Sequence, residues 1–194
     1  MGFLDVILGR TKPVRPDLDQ LFALPSAAVT LQAGAGFVPT GLGSVCFASV
    51  EGGTFERLRC DVRALLDTDT VRGGAPVEFS QDSYGYTWLL ARAPADDTAA
   101  LVNDLHAVNT LLQEGGFGPQ LLCSLMGFRD AEQRSLALVY LYKRGTFYPF
   151  APVAGAEGKR DNGLELQVRA LLENDLRIEK DLGRWFPVWA APGL

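Results

Sequence analysis

Histidine and cysteine are scarce in this sequence, which has one histidine and three cysteines among 194 residues. Cys46, Cys60 and Cys123 are widely separated and form no C-x-x-C pair, so the ligand spacing of a structural zinc site is absent. An odd number of thiols without disulfide spacing is typical of a reducing compartment, and we expect a cytoplasmic protein. Because each cysteine lies in an apolar stretch, we expect small buried side chains; a redox or nucleophilic role is the alternative.

Long hydrophobic runs and nucleotide-binding loops are also absent. No apolar run approaches the roughly 20 residues that cross a bilayer. The first ten residues, MGFLDVILGR, have no basic residue ahead of the apolar ones and no small-residue cleavage site, unlike a signal peptide. Neither G-x-x-x-x-G-K-[ST] nor G-x-G-x-x-G in a strand-turn-helix context occurs, which argues against nucleotide binding. We therefore expect no cofactor and no metal.

Positive charge is in deficit, because 18 Lys and Arg residues face 23 Asp and Glu residues, for a net charge of -5. This balance opposes sequence-independent binding to a phosphate backbone, so nucleic acid is not an expected partner. Hydrophobic residues make up 47% and charged residues 21% of the chain, which is the composition of a folded globular protein.

An apolar and aromatic run over residues 136–152 predicts a strand, a turn at Lys143-Arg144-Gly145 and a second strand. Strand side chains alternate, so one face receives Leu136, Leu138, Tyr140 and Tyr142, and the other Ala137, Val139, Leu141 and Lys143. Pro149 places the second strand, 146–150, at a sheet edge.

Hydrophobic spacing elsewhere alternates between helical and strand periods. Asp17, Ser26, Thr54 and either Asp96 or Asp97 are the expected N-caps of four helices. The order of elements indicates an α+β fold, with helices packed on an antiparallel sheet of about five or six strands. The predicted helices are 17–24, 27–33, 55–66, 97–112 and 163–176, and the predicted strands are 45–50, 77–79, 84–92, 121–128, 135–143 and 146–150.

An internal echo raises the question of a duplication. In both copies a helix ends on glycine, an aromatic residue follows, and proline precedes a strand that holds a cysteine: Gly36-Phe37 in the first copy and Gly116-Phe117 in the second. Either two α-β units are repeated, or common helix-exit chemistry recurs by coincidence. We expect a leader at 1–16 and a single domain at 17–194, with halves 17–93 and 94–194 if the repeat is real.

The leader is an amphipathic segment followed by basic residues. A short helix would place Phe3, Leu4, Ile7 and Leu8 on one stripe, with Arg10 immediately after it. Such a segment can enter a membrane interface or a partner's groove, or it can fold back on its own domain. A helix this short is marginal in water, so its order depends on what it contacts.

For the other candidate residues, a purely structural role is the alternative to a binding or catalytic role. Lys143 and Arg144 form a basic turn that faces either a partner or water. Phe147 and Tyr148, on the predicted edge strand, pack in the sheet or line a peptide groove, where an edge strand accepts a partner strand. His106 has no positioned partner in sequence, which favours a structural role. No catalytic residue is predicted.

Five strings are distinctive, and through them the chain resembles the PspA-associated protein family of the PspAB type, found in actinobacteria and relatives. They are MGFLDVILGR at 1–10, DQLFALPSAA at 19–28, SQDSYGYTW at 80–88, YKRGTFYPFAP at 142–152 and WFPVW at 185–189. The resemblance implies a cytoplasmic accessory of the phage-shock envelope-stress system, linked to the PspA coiled-coil protein. It supplies no catalytic or ligand residues.

We therefore expect a non-enzymatic, chaperone-like or adaptor protein with a protein partner, PspA-type coiled coils being the first candidate. The element order also resembles secretion-chaperone-like domains of the YbjN kind, although fold analogy does not establish function. One alternative is an enzyme or small-ligand binder that brings Cys123, His106 and Tyr142 into a pocket between sheet and helices. Another is a peripheral membrane protein at the inner face of the membrane, anchored by the leader.

Overall fold

A computed structural model describes residues 16–49, 52–67, 77–189 and 191–194. Five of the predicted interaction residues, Phe3, Leu4, Ile7, Leu8 and Arg10, lie outside the described residues.

The described residues form one antiparallel sheet of six strands, in the order β2-β3-β1-β4-β5-β6. The sheet takes strands from both predicted halves, and β1 and β4 at its centre join them. This arrangement confirms the α+β class. The strands are β1 (Val38–Ala48), β2 (Glu78–Gln81), β3 (Tyr86–Arg92), β4 (Leu121–Arg129), β5 (Ser135–Leu141) and β6 (Thr146–Phe150).

Four α-helices accompany the sheet in the part of the chain that the structure describes. Asp97 caps α3 by accepting a 2.9 Å hydrogen bond from the backbone of Ala100, as predicted. Asp17 occupies the predicted N-cap position, although its side chain makes no capping bond. Ser26 and Thr54 are not caps, because they lie inside the helices Leu24–Ala35 and Gly53–Asp67. The helices are α1 (Leu24–Ala35), α2 (Gly53–Asp67), α3 (Thr98–Leu112) and α4 (Asn162–Leu172), and a short 3-10 helix at Leu18–Ala23 precedes α1.

Both helix exits of the internal echo have the predicted geometry. Gly36 and Gly116 adopt positive φ values of 72° and 86°, which favour glycine after a helix. The strand orders of the two halves differ, however: β3 lies beside β1 with β2 at the edge, whereas β4, β5 and β6 follow in sequence order. The duplication therefore stays a prediction, as does the likeness to YbjN-type domains.

Strand β1 and helix α4 have boundaries that differ from the predicted ones for local reasons. Strand β1 begins at Val38, well before the predicted residue 45, because Val38 and Pro39 pair with the end of β4 ahead of a register shift at Gly41, where φ is 75° and the strand pattern in sequence is interrupted. Helix α4 ends at Leu172, where the carbonyl of Leu172 accepts hydrogen bonds from the backbones of Asp175 and Leu176 in a turn.

The two faces of β5 are divided as the alternation predicts. Leu136, Leu138, Tyr140 and Tyr142 belong to the larger core beneath the helices, which we call the helix face. On the opposite face, Ala137, Val139 and Leu141 belong to a second apolar cluster. Both faces of the sheet are therefore buried, and each needs its own cover.

The second face is covered by the C-terminal tail, residues 177–194. Trp185, Val188 and Ala191 are buried against the sheet, as predicted for this aromatic segment, although Phe186 is 58% exposed. Hydrogen bonds fix the tail: Tyr148 donates to the Phe186 carbonyl at 2.7 Å, and Trp185 Nε1 donates to the Glu179 carbonyl at 3.0 Å. We call this covered side of the sheet the tail face.

A buried ion pair ties α4 to the tail. Glu165 is 2% exposed and accepts hydrogen bonds from Arg160 Nε at 2.8 Å and from the Ala151 backbone at 2.9 Å. Arg160 Nη1 also donates to the Trp185 carbonyl at 2.7 Å. Because its partners come from three segments, the pair fixes their relative positions.

Backbone approaches backbone where the end of the tail crosses β4. A side chain at Gly127 would collide with the carbonyl oxygen of Gly193. Nearby, Ser44 Oγ donates a 2.9 Å hydrogen bond to the Pro192 carbonyl. The tail can lie on this strand only because position 127 is glycine.

We expect Gly127→Ala to lower the free energy of unfolding by about 1–3 kcal/mol, the usual cost of overpacking. The added methyl group displaces the tail, so limited proteolysis should cut the tail faster. Gly53→Ala is the matched control, because a Cβ at Gly53 meets nothing within 4 Å. Equal thermal melting of the two variants would contradict the proposed close approach.

Candidate functional site

The basic turn, Lys143-Arg144-Gly145, lies where the leader joins the fold. A Cβ on Gly145 would be 3.4 Å from Cβ of Asp17, and the Tyr140 hydroxyl donates a 2.8 Å hydrogen bond to the Asp17 carbonyl. The residues that precede Pro16 are therefore joined to the domain beside this turn. Asp17, the first residue after the predicted leader, is thus placed beside a turn that is more than 120 positions away in sequence.

The two cations of the turn differ in their surroundings. Arg144 Nε lies 3.5 Å from Oε2 of Glu179, so the fold already uses part of its charge. Lys143 is exposed and makes no ion pair within the described part of the chain. Lys143 is thus the cation of this turn that faces outward.

Glu179 anchors the polar side of this end of the molecule. It is 4% exposed and accepts hydrogen bonds from Thr146 Oγ1 at 3.0 Å and from the Asp181 backbone at 3.1 Å. Burial acts to raise its pKa, but these hydrogen bonds and the charges of Arg144 and Arg184 outweigh it and lower the pKa below its ordinary value. The buried carboxylate is therefore ionised and holds Arg144.

Phe147 and Tyr148 are both buried, at 0% and 1% exposure, so neither offers its side chain to a partner in this structure. The Phe147 ring packs on Tyr140 in the helix face, and Tyr148 stacks on Trp185 in the tail face, with centroids 5.1 and 5.9 Å apart. Of the two alternatives for these residues, the structure has them packed in the sheet, because each face of β6 is covered.

The edge of β6 is also partly occupied. The Phe147 backbone donates to the Arg177 carbonyl at 2.9 Å and accepts from the Glu179 backbone at 2.7 Å, which makes a parallel bridge with Ile178. The chain's own tail takes the place at Phe147 that a partner strand was expected to take.

The residues of the enzymatic alternative are not brought together. Cys123 lies in the tail-face cluster, whereas Tyr142 lies in the helix-face core and donates a 2.7 Å hydrogen bond to Gln113 Oε1. His106 Nε2 is 3.5 Å from Oδ1 of Asp19, whose side chain is 86% exposed, and its ring centroid is 4.7 Å from that of Phe22. This is a surface contact and not an enclosed site.

A shallow apolar pocket without interior space for a water molecule lies between α2 and the sheet. Arg59 is the charged residue in its lining, and its guanidinium lies 4.9 Å from the Phe79 ring centroid. Ligand sites usually enclose about 300–1,000 Å³ and converge several polar groups, and this pocket has neither feature. Its lining consists of Phe47, Phe55, Arg59, Val62, Phe79, Leu89 and Leu112.

Two features are absent from the described residues. They contain no group of three or more His, Cys, Asp or Glu side chains placed to hold a metal ion. Nor do they contain a helix that is long and apolar enough to cross a membrane.

The β2–β3 hairpin exposes aromatic residues that sequence reasoning placed in the sheet. Asp82 organises the turn: its carboxylate accepts 2.9 Å hydrogen bonds from the backbones of Tyr84 and Tyr86 and from Trp88 Nε1. Tyr84 is 74% and Tyr86 40% exposed, so their aromatic surface is available at the tip. The Asp-Ser-Tyr-Gly sequence is a turn signal that could have indicated this exposure.

A family model described as PspA associated protein B, PspAB, matches residues 1–193. The chain belongs to the PspAB family. This confirms the resemblance drawn from the five strings, and it supports a PspA-related accessory role. No curated protein and no solved structure matches the chain.

The distinctive strings of this PspAB protein now have structural roles. Asp82 and Trp88 of the 80–88 string close a hairpin, and Tyr148 of the 142–152 string binds Trp185 of the 185–189 string. The outward-facing members of the described strings include Phe22, Tyr84, Lys143 and Phe186.

Acid should destabilise the protein through Glu179. Because its folded-state pKa is below the ordinary 4.5, the ionised carboxylate stabilises the fold above that pH, and the contribution is lost as the pH falls further. We expect Glu179→Gln to lose about 1–3 kcal/mol at pH 7 and to show a shallower loss of stability in acid.

Denaturant titrations of both proteins between pH 7 and pH 3 measure this difference. Glu157→Gln, at an exposed glutamate, is the control and should stay within about 0.5 kcal/mol of the parent at each pH. Parallel pH profiles for the Glu179→Gln variant and the parent would refute the assignment.

Proposed function

We propose that this protein is a non-enzymatic adaptor of the phage-shock envelope-stress response, which binds a PspA-type coiled-coil protein in the cytoplasm. Membership of the PspAB family supports the link to PspA. The observation that carries the proposed binding site is the position of Asp17 against the basic turn, because it joins the leader to the domain beside Lys143 and Arg144. We propose the leader and this turn together as the partner-binding end.

The chemistry of this end suits a coiled-coil partner. Coiled coils present an apolar seam flanked by charged side chains. The leader supplies Phe3, Leu4, Ile7 and Leu8 for an apolar contact, and the exposed turn supplies Lys143 for a charge contact. A contact of both kinds favours one register on the partner helix.

The proposed absence of catalysis is supported by how the polar groups are used. Glu165, Glu179 and Asp82 each accept three or more hydrogen bonds from their own chain or form ion pairs with it. None of these three carboxylates lines the pocket beside α2. Carboxylates satisfied in this way hold structure together and have little capacity left for a substrate.

Charge reversal tests the binding end. We expect Lys143→Glu in the full chain to weaken binding to the purified PspA-type coiled-coil protein by roughly threefold to tenfold, because a rim charge is lost and an opposite one introduced. Lys159→Glu makes the same charge change in a distant exposed loop and should leave the dissociation constant unchanged.

Calorimetry or interferometry at low and physiological salt gives the dissociation constants, and the Lys143 effect should shrink as salt rises. Removal of residues 1–10 should abolish binding if the leader supplies the apolar contact. Full affinity in both variants would overturn the proposed binding end, and absence of binding by the parent would overturn the proposed partner.

A second candidate, peripheral membrane binding at the inner face, is favoured by the amphipathic leader sequence and by the position of Asp17, which follows the leader, beside a basic turn. An amphipathic segment with adjacent cations binds anionic lipid surfaces. We expect removal of residues 1–10 to abolish sedimentation with anionic liposomes and to leave the melting temperature unchanged. Liposome binding that survives this deletion would eliminate the membrane role, and uncharged liposomes serve as the control for the charge contribution.

A further inference from the structure

Cys46 and Cys123 lie directly opposite each other on β1 and β4, the strand pair that joins the two halves of the sheet. Both side chains are buried, at 3% and 7% exposure, and both are free thiols. Residues directly opposite in antiparallel strands have Cα atoms about 4.5–5.5 Å apart, which is within the range that a disulfide spans. The backbone therefore already has the spacing that a disulfide needs.

We propose that Cys46 and Cys123 are a redox modification site, at which a hydroperoxide converts the thiol pair into a disulfide that fastens β1 to β4, with access controlled by the C-terminal tail. This chemistry is independent of which partner the protein binds.

The reaction balances with one hydroperoxide and two thiols. One sulfur attacks a peroxide oxygen, the O–O bond breaks, and a sulfenic acid forms as water or an alcohol leaves. The second sulfur attacks the sulfenic sulfur, the S–S bond forms, and the S–O bond breaks with release of water. The two sulfurs lose two electrons and the two peroxide oxygens gain them.

The tail restricts access to this pair. The two cysteines are buried in one apolar cluster with Trp185 and Val188 of the tail, on the face of the sheet that the tail covers. A hydrogen bond to Cys123, together with burial, raises the pKa of the Cys46 thiol. The thiols are therefore protected while the tail is docked, and they become reactive when it opens.

A disulfide at this place has a defined mechanical effect. It closes a loop that includes most of the first half of the sheet and α3, and cross-links that close long loops restrict the unfolded chain most strongly. It also connects covalently the two strands through which the halves are paired. Oxidation should thus raise resistance to unfolding.

The test uses the full chain with Cys60→Ser, because Cys60 is an exposed thiol on α2 that can form disulfides between molecules. After treatment with hydrogen peroxide, peptide mapping without reductant should recover one linked pair of peptides containing Cys46 and Cys123. The melting temperature should rise by several degrees and return to its starting value with a thiol reductant. Cys46→Ser in the same background should show neither change.

Two results would overturn the site. One is recovery of both cysteines as free thiols after oxidation, denaturation and alkylation, and the other is separate sulfinic acids without a linked peptide. Tail control has its own test: Gly127→Ala, which displaces the tail, should speed cross-linking at least fivefold relative to Gly53→Ala. Equal rates would overturn the role of the tail, and Trp185→Phe gives a second comparison if Gly127→Ala does not melt cooperatively.

Discussion

The pairing of β1 with β4 is the constraint on which the other features of this structure depend. These strands join a three-stranded half, β2-β3-β1, to another, β4-β5-β6, in one sheet. Their side chains are apolar on both faces, so neither face can remain in water without a cost of about 25 cal/mol per Å² of apolar surface. The helices cover one face, and the tail must cover the other.

The need to cover this second face explains why residues from distant parts of the chain contact the tail. Tyr148 and Arg160 each donate to a tail carbonyl, and Gly127 leaves room for the backbone of Gly193. A segment with little regular structure has backbone groups that need partners, and residues of the sheet and Arg160 supply several of them. The tail is therefore part of the core, although the regular structure in its described residues is the short 3-10 helix at Leu182–Arg184.

Much of the fold was predictable, because local sequence determines it. The alternation in residues 136–142 correctly separated the two faces of β5, and Asp97 correctly marked the start of α3. Predictions failed where contacts between residues distant in sequence determine whether a side chain is buried. Cys60 was expected to be buried with the other cysteines, but α2 leaves it exposed, because only one side of that helix meets the core.

The candidate site shows the same division between local and distant information. The sequence marked Lys143 and Arg144 as a turn, and the structure places both on the surface. It could not indicate that Asp17 lies against that turn, because a hydrogen bond from Tyr140 across 123 positions fixes this contact. The sequence also could not show that the tail covers the sheet face on which Tyr148 lies. A tyrosine in a β-strand has the same sequence pattern whether a partner protein or the chain's own tail packs on it.

The tail contacts both the basic turn of the proposed binding end and the sheet face that holds the two buried cysteines. At its start it pairs with the edge of β6 through Ile178 and supplies Glu179 to Arg144 of the basic turn; further along it covers the sheet face that holds Cys46 and Cys123. A force or ligand that moved the basic turn would therefore act on the same segment that shields the thiol pair. Coupling of this kind requires a physically continuous element with two arrangements, docked and open, and the tail is the segment whose opening would change both surroundings at once.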